Sequence, residues 1–148
     1  MRWPFPMESV HPMVVHFPIA LLLTAVTLDA VALMLRRPAL HRIGLWNLTL
    51  GVLAAGTAVL SGLQAEGIAK HSFNIWEVMA WHERLGITTL VLGALVAGWR
   101  WWRRDQLGPR SRAVMLLLML AMACTLATGA HLGGRLVYEF GVGGTFGK

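Results

Sequence analysis

Four long apolar stretches constrain this chain more than any other feature of its sequence. Each is bounded by charged residues, proline or glycine, and they cover about residues 17–35, 43–63, 83–102 and 112–131. A bilayer core about 30 Å thick is crossed by roughly 20 apolar residues in helical form. Each stretch therefore has the length of a transmembrane helix. We predict an all-α fold with a single domain over residues 1–148, built as a four-helix transmembrane bundle.

The composition agrees with a membrane protein. Only 14% of the residues are charged, against about 25% in soluble domains. The formal net charge is +6, but the arginines stand beside the apolar stretches instead of along one polar surface. We therefore expect contact with membrane lipid and none with nucleic acid. Residues 1–13 lack the charged and then apolar pattern of a cleavable signal peptide, and we expect none.

The basic residues predict the orientation of the bundle. Two short connections, between the first and second and between the third and fourth stretches, carry eight arginines. The other side of the predicted membrane carries five basic residues together with five acidic ones. Because short cytoplasmic loops are rich in Lys and Arg, these connections are placed in the cytoplasm. Both termini then face the outer, periplasmic side of a bacterial cytoplasmic membrane, in a multi-pass arrangement. The eight arginines are Arg36, Arg37, Arg42, Arg100, Arg103, Arg104, Arg110 and Arg112.

This orientation gathers most of the histidines on the outer side. His11 and His16 precede or open the first helix, His82 opens the third, and His131 closes the fourth. His71 falls in the loop between the second and third helices. Because neutral imidazole is the commonest metal-ligating side chain, His16, His82, His131 and His11 are candidate ligands. The first three are preferred because helices hold them.

Helical phasing indicates which way these side chains point. At about 100° per residue, His16 shares a face with Ala20, His82 shares one with Gly86 and Gly93, and His131 shares one with Ala127. Small side chains are enriched where membrane helices pack closely. We therefore expect all three histidines to face the interior of the bundle.

Two polar residues lie away from this group. Asp29 lies within the first apolar stretch, where a carboxylate is costly. It is either a proton-relay or quinone-site carboxylate, or a structural group bonded to a neighbouring helix, and we favour the structural role. His41 lies on the cytoplasmic side among arginines, where we interpret it as a solvated loop residue.

Three functions fit the outer histidines. Two imidazoles from different helices hold the iron of a b-type haem, and Arg135 after the fourth helix is placed to pair with a haem propionate. Three or four imidazoles form a zinc or copper site equally well, for metal binding or transport. In the third case the histidines bind nothing and the chain anchors a periplasmic redox partner. The residues alone leave all three open.

The segment His11-Pro-Met-Val-Val-His16-Phe-Pro resembles the opening of a bacterial membrane family known as domain of unknown function 2231. The resemblance extends to Asp29, to His82 at the start of the third helix, and to the glycine-rich stretch 133–143, so it covers nearly the whole chain. Members of that family resemble small b-type membrane cytochromes, and some are fused or adjacent to Rieske-type iron–sulfur domains. The resemblance therefore implies redox work.

We expect a cytochrome b-like, non-catalytic electron-transfer subunit of an oxidoreductase complex that holds one or two haem b groups near the outer face. The expected partners are other redox subunits, such as an iron–sulfur or cytochrome protein, and quinone. Because the candidate ligands lie on one side, we expect electron exchange at the outer face instead of conduction across the membrane.

Overall fold

The computed structural model describes residues 10–66, 73–103 and 106–142, and within these ranges the chain contains only helices and connecting turns. The all-α prediction is confirmed for these residues. His71 lies outside them. The helices are α1 (Val10–Val14), α2 (His16–Leu35), α3 (Pro38–Glu66), α4 (Phe73–Trp102) and α5 (Pro109–Tyr138).

Four segments are long and apolar enough to cross a membrane, as the sequence predicts. Between α1 and α2, Val15 keeps right-handed helical backbone angles (φ −61°, ψ −22°), so these two helices belong to one span. The helices extend past most ends of the predicted stretches, because polar residues at the membrane boundary continue the helical backbone. The four segments are His11–Leu35, Pro38–Gln64, Ile75–Trp102 and Pro109–Tyr138.

Local backbone chemistry explains how α2 ends and how α3 and α5 begin. Arg36 has left-handed backbone angles (φ 52°, ψ 40°) and its N–H donates to the carbonyls of the last turn of α2. Pro38 and Pro109 begin α3 and α5, at positions where proline removes no intrahelical hydrogen bond. The short connections make α2–α3 and α4–α5 two antiparallel hairpins.

The core lies where these hairpins meet. α2 packs along α3, α4 packs along α5, and α3 contacts α4. Large apolar side chains also cover the outside of the helices, where Leu53, Leu95 and Leu117 are each more than 60% exposed. A contiguous apolar surface of this kind marks contact with another apolar phase, which for helices of this length is the hydrocarbon of a bilayer. The buried side chains of the core include Leu22, Leu48, Val96, Met115, Met119 and Met122.

Candidate functional site

Two of the four predicted ligands, His11 and His82, meet at one end of the bundle, which we call the histidine end. Their ring centres are 6.0 Å apart and their ring planes are inclined at 82°. His11 comes from α1 and His82 from the N-terminal part of α4, and both side chains are half-buried. Two imidazoles from separate helices are thus brought together where neither helix alone could place them.

Hydrogen bonds fix the orientation of both rings. Nδ1 of His11 lies 2.9 Å from the carbonyl oxygen of Ala58 and 3.0 Å from Oγ of Ser61. Nδ1 of His82 lies 2.8 Å from the carbonyl oxygen of Gly129. Because a carbonyl oxygen only accepts, Nδ1 of each ring carries the proton and donates it. The lone pair of each neutral imidazole is then on Nε2, as in metal-ligating histidines whose other nitrogen donates to a carbonyl.

Two glycines allow the rings to lie directly against helix backbone. A methyl group added at Gly62 would stand 3.0 Å from Cε1 of His11, and one added at Gly133 would stand 2.9 Å from Cε1 of His82. Both distances are tighter than ordinary van der Waals contact. An alanine at either position would therefore displace the ring or the helix.

The other two predicted ligands do not join this pair. His16 and His131 are both exposed, as are Ala20 and Ala127, which share their helical faces. The expectation that these faces look into the bundle is corrected. Small side chains on α2 and α5 occur on both the buried and the exposed face, so they do not identify the packing face.

Arg135 lies at the same end of the bundle, on α5. Its Nε donates to both carboxylate oxygens of Glu139, at 2.9 and 3.1 Å. It also lines an open groove of about 480 Å³ together with Trp81 of α4 and Phe140. The guanidinium therefore stands beside a surface concavity at the histidine end, and pairing with a propionate stays a prediction.

A second polar cluster, formed by Asp29, His41 and Arg100, lies at the opposite end, which we call the arginine end. Nη1 of Arg100 donates to Oδ2 of Asp29 at 2.6 Å, and both side chains are fully buried. Nδ1 of His41 lies 2.7 Å from Oδ1 of Asp29. Nη2 of Arg100 donates to the backbone carbonyl of His41 at 2.7 Å. Asp29 is thus bonded to the neighbouring helices α3 and α4, as the structural alternative expects.

This cluster corrects two interpretations from the sequence. His41 is not a solvated loop residue: it lies in the first turn of α3 and its side chain is only 13% exposed. Arg100, counted above among the loop arginines, lies buried within α4. Asp29 is the sequence signal that could have identified His41 and Arg100 as its partners. A carboxylate at membrane depth needs a partner, and both residues lie at the same membrane depth as Asp29 on neighbouring spans.

Within the described ranges, no group of three or more His, Cys, Asp and Glu side chains is close enough to hold a metal ion. Comparison with known proteins places residues 7–145 in the family described as "Predicted membrane protein (DUF2231)". No curated protein and no solved structure matches the chain. The matched range includes the histidine pair and the buried cluster at the arginine end.

Proposed function

The chain belongs to the DUF2231 family of predicted membrane proteins, and we propose that it is a small membrane cytochrome that holds one b-type haem between His11 and His82. The observation that carries this proposal is the pair of imidazoles, each fixed through Nδ1 by a backbone carbonyl. The proposal assigns the axial positions to these two residues and not to the exposed His16 and His131.

The separation of the rings supports axial ligation. A metal–imidazole bond is about 2 Å long, so two imidazoles on opposite sides of one metal ion have ring centres roughly 6 Å apart. The observed separation of 6.0 Å fits that arrangement. An inclination of 82° between the planes is compatible with it, because each axial ring is free to turn about its own bond to the metal.

The number of ligands favours haem over a bare metal ion. A haem iron takes its four equatorial bonds from the porphyrin, so two histidines complete its coordination. A zinc or copper ion at the same place needs further protein ligands beyond these two imidazoles. The donor set therefore fits haem better than it fits the metal-transport alternative.

Filling both axial positions also indicates the kind of chemistry. Haem supplies one-electron redox chemistry when it is bound. If His11 and His82 both held the iron of a bound haem, they would leave no coordination position for oxygen or a substrate. The two residues and their carbonyl partners therefore serve electron transfer, and Arg135 adds positive charge at the same end for the propionates.

The histidine end is proposed to face the outer side of the membrane, following the arginine count of the loops. The redox partner, an iron–sulfur or cytochrome protein or a quinol, would then exchange electrons at that face. The groove lined by Trp81, Arg135 and Phe140 is an exposed surface of the histidine end at which such a partner can approach.

Cysteine labelling tests this orientation. In a Cys124→Ala background, a Tyr138→Cys variant is expected to react with a membrane-impermeant maleimide in intact spheroplasts, because Tyr138 is 85% exposed at the histidine end. A Gly108→Cys variant, exposed at the arginine end, is expected to react only after detergent is added. The reverse labelling pattern would invert the proposed topology.

The visible spectrum of the purified protein tests the proposed function. In mild detergent we expect a Soret band, an α-band that sharpens on reduction with dithionite, and one iron per chain by elemental analysis. Because both axial positions are filled, carbon monoxide is expected to leave the reduced spectrum unchanged. Bound zinc or copper without a Soret band would favour metal binding, and neither metal nor haem would leave a membrane anchor whose histidines pack as an aromatic pair.

A further inference from the structure

The hydrogen bonds of the two histidines repeat at one interval along the chain. Nδ1 of His11 bonds the carbonyl of a residue 47 positions later, and Nδ1 of His82 does the same. The glycines under the two rings, Gly62 and Gly133, also follow their histidines at equal distances. The two histidines, the two residues whose carbonyls they bond, and the two glycines therefore form three pairs of equivalent residues. The members of each pair are 71 residues apart.

The helices and the core follow the same shift. Pro38 and Pro109, the first residues of α3 and α5, are related by it. Many equivalent positions in the two hairpins are buried together even where their side chains differ. Three such pairs are Leu22 and Gly93, Leu48 and Met119, and Gly51 and Met122, all of them buried.

Two pairs of equivalent residues also contact each other, and a third pair lies close together. His11 contacts His82, a methyl group added at Gly93 would lie 4.0 Å from Cδ2 of Leu22, and Asp29 is bonded to Arg100 with a sequence separation of 71. In an assembly with two-fold symmetry, a residue meets its own equivalent only near the axis. The first and last pair are 18 residues apart in each half, which corresponds to roughly 27 Å of helix.

We infer that the chain is internally duplicated, with residues 10–66 and 81–137 forming equivalent halves around a pseudo-two-fold axis. The axis passes between the two histidines at one end and between Asp29 and Arg100 at the other. Because α2 and α4 cross the membrane in the same direction, the axis runs along the membrane normal, as in other parallel repeats. The two hairpins are two copies of one unit.

This duplication deepens the proposed function, on which its functional part rests. Each half contributes one imidazole, one carbonyl that orients it and one glycine beneath it. The site is therefore single and lies on the axis, so one haem binds per chain and its two faces meet equivalent protein groups. Two haems per chain, which the sequence left open, do not fit a site shared by both halves.

The pair at the arginine end shows how the halves have diverged. At equivalent positions on the axis, two aspartates or two arginines would place like charges together inside the membrane. Asp29 in one half and Arg100 in the other instead form an ion pair. This pairing favours association of the first half with the second over association of either half with its own copy. At the position equivalent to His41, the second half has Arg112.

Exchanging equivalent residues in the full chain tests the duplication. The single variants Asp29→Arg and Arg100→Asp are expected to have a much lower Tm in detergent than the wild-type protein. The double exchange D29R/R100D is expected to recover more than half of that loss, because each side chain then occupies the other's equivalent position. Adding H41R/R112H is expected to raise the Tm of the double exchange but to lower the Tm of the wild-type protein.

That reversal of sign is expected from the duplication, because the pseudo-symmetry relates position 112 to position 100 as position 41 is related to position 29. The duplication is overturned if H41R/R112H lowers the Tm in both backgrounds, or if the double exchange melts no higher than the less stable single variant. Measuring Tm both as purified and after removal of any bound haem separates this outcome from the proposed function. A wild-type protein without haem would refute the cytochrome and leave the Tm comparison intact.

Alanine substitutions at equivalent glycines give a second, milder test. Gly62→Ala and Gly133→Ala are expected to lower the Tm by similar amounts, because each methyl group meets the same edge of a histidine ring. Gly56→Ala is the matched control, since a methyl group there meets nothing within 4 Å and the equivalent residue is Ala127. A lower Tm in only one of the variants Gly62→Ala and Gly133→Ala would contradict equivalence of the halves.

Discussion

The Arg100→Met variant is expected to lower the free energy of unfolding by about 3–5 kcal/mol, the usual cost of removing one partner from a buried ion pair. Arg100 and Asp29 are both fully buried, so the substitution leaves a carboxylate inside the bundle with only His41 beside it. The same change removes the hydrogen bond to the His41 carbonyl, which joins α4 to α3. Reversible unfolding in mixed micelles, followed by circular dichroism, measures the loss.

Two further variants show whether burial of the charge is the cause. Arg103→Met removes an exposed arginine at the same end of the bundle and is expected to change the free energy of unfolding by less than about 0.5 kcal/mol. The double variant Asp29→Leu/Arg100→Met replaces both charges by apolar side chains and is expected to regain most of the lost stability. An Arg100→Met protein as stable as the wild type would show that the ion pair is not formed in the membrane.

Loss of haem absorption is the expected result for His11→Ala and for His82→Ala. Either substitution removes one of the two proposed axial ligands and also leaves a buried carbonyl, that of Ala58 or Gly129, without its imidazole donor. We expect the purified variants to retain less than about a tenth of the wild-type haem, since a haem held by one protein ligand washes out more readily. Any haem that remains is expected to bind carbon monoxide, because one axial position is then open.

The exposed histidines provide matched controls for this experiment. His16→Ala and His131→Ala are expected to keep the wild-type spectrum and haem content, because both side chains lie on exposed faces. His41→Ala is expected to keep the haem as well, since it belongs to the arginine end. Haem lost on His16→Ala or His131→Ala but retained on His82→Ala would transfer the axial role to His16 or His131.

Several features of this protein could be predicted from the sequence because they depend on the distance along a single helix. The four spans follow from the length of apolar helix that crosses a bilayer. The grouping of His11 and His82 at one end follows from counting spans between them. The resemblance of the segment from His11 to Pro18 to the DUF2231 family agrees with the family match. Once His11 and His82 are known to be a pair, the proposed shift of 71 residues between the halves can be read from their sequence numbers.

Which face of each helix packs inside the bundle could not be predicted from the sequence. This orientation decides which histidines meet at the candidate site. In a soluble protein the apolar face of a helix marks the core. In a membrane the lipid is as apolar as the core, so hydrophobicity does not distinguish the two faces. His16 and His131 therefore looked as suitable as His82 from the sequence, whereas packing places them on exposed faces.

The sequence by itself determined that the chain has four stretches long and apolar enough to cross a membrane, that His11 and His82 lie at the same end of these stretches, and that Asp29 needs a partner. Only the tertiary structure decided that His11 pairs with His82 and that the partners of Asp29 are Arg100 and His41. The physical reason is that span length is a property of each helix alone. Which side chains meet depends on the rotation of each helix against its neighbours, and that is set by close packing and polar pairing inside the bundle.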